Sequence, residues 1–119
     1  MAISYPIPEG IVGTDNRTGL TGADGSPIIL YTAGAGTIQV YRINTEIVAH
    51  AFTSGTATLT VTWTENTVSQ TAVVTATALN VVTGIVRLAM PDAGTTITVQ
   101  LTGSFTATVR IATIIERLV

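Results

Sequence analysis

The sequence predicts an all-β fold, a seven- to eight-stranded antiparallel β-sandwich of the jelly-roll kind with an extended N-terminal arm. Three observations predict it. Apolar residues recur with a period of two from residue 28 onward, and no stretch carries the 3.6-residue apolar stripe of a helix. Turn-forming residues punctuate the apolar runs at close intervals, as in sandwiches and barrels. Threonine, β-branched and suited to strands, fills 24 of the 119 positions.

Residues 1–27 read as the arm. Pro6, Pro8, Gly10, Gly13, Gly19, Gly22, Gly25 and Pro27 sit among small polar residues, and Ile11-Val12 is an isolated apolar pair. Proline fixes φ and glycine resists both regular states, so an extended course is expected. An eighth strand is placed near 11–13. With so little apolar content the arm is expected to lie on a neighbouring subunit or along its own sheet edge. Tyr5, Ile7, Ile11 and Val12 would then supply its contacts.

The sandwich proper is expected over 28–119, with strands at about 28–33, 37–53, 56–64, 68–78, 84–90, 95–102 and 105–118. In 37–53 the phase changes. Ile38 and Val40 fall on one face and Tyr41, Ile43 and Ile47 on the other, which predicts a bulge or bend. Arg42, Asn44, Glu46 and His50 then face away from the core. The run 56–64 is the clearest strand: Ala57, Leu59, Val61 and Trp63 alternate with Thr56, Thr58, Thr60, Thr62 and Thr64. Ala72, Val74 and Ala76 repeat the pattern more weakly. In 84–90, Val86, Leu88 and Met90 read as the buried row and Arg87 as the outward residue. Ile97, Val99 and Leu101 form the inward row of the next strand. Phe105, Ala107, Val109 and Ile111 form that of the last. Ile114-Ile115 is apolar on both faces, so both are expected to be covered, one by the core and the other by the arm or a partner.

Composition narrows the function. With no cysteine, disulfide scaffolds, zinc fingers and Cys nucleophiles are excluded. The net charge is −2 and the positive charge is five arginines without a lysine, so a basic patch for nucleic acid is not expected. No apolar run approaches the ~18 residues of a membrane helix. The N-terminal stretch lacks a basic n-region and is broken by Pro6 and Pro8, so it does not read as a secretory signal.

Chemistry-bearing constellations are sparse. His50 is the sole histidine, with Glu46 four residues earlier on the same face. A general base still needs a nucleophile and an orienting group, and zinc needs at least three protein ligands. Neither an enzyme nor a metal site is expected. The glycine clusters lack the Lys-Ser/Thr tail of a phosphate loop, so no cofactor is expected either. Glu9, Asp15, Asp24 and Asp92 read as polar turn residues. Trp63 shares a face with Leu59 and Val61 and reads as core. A carbohydrate-binding module, the alternative, would need it exposed.

Charged residues are only 10% of the chain. Sheet edges in monomers are usually blunted by charge, lysine above all. Here the edges and part of the outer surface are expected to be occupied by other subunits, in an assembly with no active site.

The chain resembles small β-sandwich structural proteins of tailed bacteriophages, which include capsid decoration (cement) proteins and tail-associated proteins. The resemblance rests on Leu30-Tyr31-Thr32-Ala33-Gly34-Ala35-Gly36 running into Tyr41-Arg42-Ile43, on Ala57 to Asn66 with Gln70-Thr71, and on Ile114-Ile115-Glu116-Arg117-Leu118. It implies a non-enzymatic virion component without cofactor, on the capsid surface, that stabilises the phage head through subunit contacts. It would act as a homo-oligomer, with a trimer as the first expectation, against the major capsid protein or other virion proteins. A tail or baseplate structural protein is the neighbouring alternative. The contact residues expected from the whole reading are Tyr5, Ile7, Ile11, Val12, Arg42, Asn44, Glu46 and Ile114.

Overall fold

The alternation of apolar side chains with threonine produces strands with one wet and one dry face, and two such sheets bury their dry faces together. The computed structural model describes residues 10–34, 39–77 and 82–118. Among these residues eight strands follow in order: β1 (Ile11–Leu20), β2 (Ile28–Thr32), β3 (Tyr41–Gly55), β4 (Ala57–Glu65), β5 (Val68–Ala76), β6 (Val82–Ala89), β7 (Thr96–Thr102) and β8 (Phe105–Arg117). They form two four-stranded sheets, ordered β1-β8-β3-β6 and β2-β7-β4-β5, and every pairing is antiparallel. The pairs β1·β8, β2·β7, β3·β6 and β4·β5 are successive rungs of one folded-over ribbon. The further pairs β3·β8 and β4·β7 roll it up into a jelly roll.

The core lies between the sheets. Tyr41, Ile43, Ile47, Leu59, Val61, Trp63, Ile97, Val99, Leu101, Val109, Ile111 and Ile115 are almost wholly buried. The outer face of β2-β7-β4-β5 is the threonine surface expected from the sequence. There Thr58 pairs with both Thr102 and Thr75, and Thr62 with both Thr98 and Thr71. Within the core, the buried Thr45 and Thr113 hydroxyls satisfy each other at 2.9 Å. Tyr41 keeps its hydroxyl hydrogen-bonded to Gln39, and burial raises its pKa above the ordinary tyrosine value.

Three elements differ from the sequence reading. The eighth strand is longer than 11–13. Of the two places expected for the Gly/Pro-rich stretch, residues 11–20 take their own sheet edge, paired with β8. β3 carries an irregularity at its far end that the sequence reading did not place, where the register with β8 shifts between His50 and Ser54 and Ala51 takes a φ of 47°. Ile38, on which the expected phase change turned, lies outside the described residues. In β6 the two faces are exchanged. Pairing with β3 sets Arg87 opposite the buried Ile43, while Val86 and Leu88 sit opposite Asn44 and Arg42 on the outer face. Leu88 is 65% exposed and Val86 57%.

An arginine lies at each side mouth of the sandwich. At the β6 side, Arg87 reaches inward. Its guanidinium stands 5.8 Å from the Trp63 ring centroid, and Nη1 donates to the Thr71 carbonyl at 3.2 Å. A long side chain at an edge can keep its charge wet while its stem and plane cover an aromatic ring. At the β1 side, Arg17 is gripped by two carboxylates. It donates to both oxygens of Asp15 at 2.8 Å each, and to those of Asp24 at 2.7 and 3.1 Å. Asp24 also ties its loop to β7, accepting from the Leu101 N–H and donating its own N–H to the Leu101 carbonyl, both at 2.8 Å. Asp15 and Asp24, read from sequence as turn residues, are this clamp. Asp92 does cap a turn, accepting from the N–H groups of Asn66 and Thr67 at 2.8 Å each.

Candidate functional site

The outer face of β1-β8-β3-β6 gathers most of the residues singled out for contact. Strand register builds it row by row. Ile11, Glu116, Arg42 and Leu88 lie side by side across the four strands. The next row is Thr14, Ile114, Asn44 and Val86, and the one after it Asn16, Ala112, Glu46 and Gly84. Ile11, Arg42, Asn44, Glu46 and Ile114 therefore share one face, although they come from both ends and the middle of the chain. Val12 does not join them. It occupies the irregularity between Ile11 and Gly13 and packs against the core. Tyr5 and Ile7 lie outside the described residues.

The shape of the face follows from the sizes of its residues. Gly84 and Ala112 leave a low floor between taller neighbours, and a groove of about 400 Å³ opens there, lined among others by Asn44, Glu46, Val86 and Ile114. Its rims are apolar: Ile114 is 38% exposed, beside the more open Val86.

Electrostatically the face is self-neutralised. Arg42 pairs with Glu116 across β3·β8, and Arg110 Nη2 donates to Glu46 at 3.3 Å. Removing one member of a covered ion pair leaves a charge stranded, whereas a charge that already has its partner can be covered at lower cost. A face with apolar rims and internally paired charges can be covered by another protein surface without stranding any of these four.

His50 is exposed at the end of the same face, and Glu46 is engaged with Arg110. Among the described residues no three metal-ligating side chains gather. Among the described residues, the aromatic rings a sugar platform would draw on are engaged within the fold: Trp63 is buried and donates its indole N–H to Glu65, and Tyr31 packs against Tyr41 in a tilted arrangement at 5.4 Å between centroids.

Sequence reasoning missed Val86 and Leu88 as surface residues. An apolar row beside a single arginine reads as core, and only the register of β6 on β3 reverses it. No family model, curated protein or solved structure matches the chain.

Proposed function

We propose that the chain is a non-enzymatic structural protein of a virus particle, a capsid decoration (cement) protein of a tailed bacteriophage. It acts as a homo-oligomer that docks on the major capsid protein or another virion protein through the outer face of β1-β8-β3-β6. The observation that carries the reading is the convergence on that face of apolar Ile11, Ile114, Val86 and Leu88 with charges that are already paired. The phage-like sequence stretches support the virion setting. The jelly-roll connectivity agrees with it, since capsid domains use this fold, but lectins use it too and a fold alone does not assign a role.

The mechanism is mass action. A protein that binds the assembled shell and not its dissociated subunits stabilises the shell by RT ln(1 + [L]/Kd), about 2.7 kcal/mol at a hundredfold excess over Kd. The experiment is co-sedimentation with phage heads that lack the protein. Ile114→Asp places a carboxylate at the centre of the face, and desolvating it without a partner costs enough to lower shell affinity at least ~10-fold. Because Ile114 points outward, away from the core between the sheets, the melting temperature of the isolated protein is expected to fall only modestly and the fold to remain intact. Unchanged occupancy of Ile114→Asp on heads would contradict the docking face.

A further inference from the structure

We propose that β6 is a self-association edge, where two copies pair β6 against β6, antiparallel about a two-fold axis, and join their β1-β8-β3-β6 sheets into one sheet of eight strands. This rests on the assembly reading above and names the contact by which the chain meets its own copy.

Four observations carry it. First, β6 ends its sheet, and among the described residues no strand pairs with its outer side. An unpaired edge presents a row of N–H and C=O groups, a template for another strand. Second, the usual protections are missing. β6 has no proline, its register on β3 runs unbroken, and its sole charge, the exposed Arg87, leans over Trp63 on the inward side of the strand rather than standing on the outward face with Val86 and Leu88. At the opposite side of the molecule both edges are irregular, with register shifts in β1 and in β2. Third, the edge is apolar where it faces outward, at Val86, Leu88 and the adjoining Met90.

The fourth observation is the fit of β6 to itself. Pleating allows only registers that keep outward residues opposite outward residues. Centring the pair on Val86 obeys this rule. It sets Val86 against Val86 of the second copy and the large, exposed Leu88 against Gly84, which has no side chain to collide with. It also sets Arg87 beside Ile85 of the second copy rather than beside the other Arg87, so no like charges meet. The contact is isologous and closes at two copies.

The absence of cysteine makes the test clean, because one introduced thiol reports one contact. Val86→Cys is expected to give a covalent dimer in high yield with a short thiol crosslinker. Thr60→Cys, on the outer face of the other sheet, serves as the control and is expected to give little. Mixing Gly84→Cys with Leu88→Cys is expected to yield the mixed dimer in preference to either like pair. Leu88→Lys opposes an ammonium group to the edge and is expected to weaken dimerisation at least tenfold, with the circular dichroism melt unchanged at dilutions where both proteins are monomeric, because the side chain is exposed. If Val86→Cys crosslinks no better than Thr60→Cys while light scattering still finds an oligomer, the edge pairing is overturned and the assembly reading stands. A trimer has the same consequence. A chain that stays monomeric overturns the pairing as well, and binding of Ile114→Asp to phage heads then decides the docking face separately.

Discussion

Gly103→Ala is expected to remove about 3–5 kcal/mol of stability, enough to unfold a marginal domain whose total is of order 5–15 kcal/mol. The reason lies at the corner of the roll. The chain passes from one sheet to the other between Gly55 and Ala57, and again between Thr102 and Phe105. These two crossings lean on each other. A Cβ at Gly103 would stand 2.1 Å from the Thr56 carbonyl oxygen, and one at Gly55 the same distance from the Ser104 oxygen. Backbone oxygens cannot swing aside as a flexible side chain can, and the Thr56 N–H is already bound to the Ser104 carbonyl at 3.1 Å. Both glycines also hold positive φ, +109° at Gly103 and +90° at Gly55. Gly94 separates the two causes. It has a φ of +77° but nothing within 4 Å, so Gly94→Ala should cost only the backbone strain, about 1–2 kcal/mol. Urea unfolding of Gly103→Ala and Gly94→Ala checks the order. Equal losses at Gly94 and Gly103 would mean that the corner is not tightly packed.

Arg17→Met is the second large effect, with an expected loss of about 2–4 kcal/mol. It leaves Asp15 and Asp24, both well shielded from solvent, facing each other with no counter-charge and Arg17's fork of four hydrogen bonds gone. The mouth between β1 and β2 loses its plug, and the loop holding Asp24 loses one of its two anchors. The clamp also sets a pH dependence. The Arg17 guanidinium bonded to Asp24 holds its carboxyl below the ordinary value of 3.8, with the Leu101 N–H acting in the same sense against the effect of burial. A carboxyl with a depressed folded-state pKa contributes stability that is complete above the unfolded value and is lost as pH falls through the folded one. Melting temperatures of the wild type should therefore fall in acid, starting near the ordinary value and continuing below it. Asp24→Asn should start lower at neutral pH and lose that part of the acid slope. Parallel melting curves from pH 7 down to pH 2 for both proteins would contradict the clamp.

Much of the fold was legible because its signal is local. In 56–64 and 105–111 each residue's neighbours two places away share its polarity, so face and phase can be read without a partner strand. The length of β1 was not legible for the opposite reason. Its inward positions at the mouth are Asp15 and Arg17, which look like a polar turn until Asp24 and Leu101 are brought to them by the roll. The reversed faces of β6 have the same origin. Ile85-Arg87-Ala89 and Val86-Leu88-Met90 alternate equally well, and the choice is made by a small Ala89 beside the bulky buried Tyr41 and by Arg87 reaching Trp63. On the candidate surface, Arg42, Asn44 and Glu46 were readable from the phase of one strand. Their meeting with Ile11, Ile114, Val86 and Leu88 was not, since it depends on the register of four strands that are distant in sequence.

Light scattering on the purified, full-length chain over a wide concentration range tests the central claim most directly, namely that this protein works by contact with other copies and subunits. The expected result is a mass that rises to at least twice the 12.3 kDa of a single chain as concentration increases. A mass that stays at one chain up to millimolar concentration would contradict it.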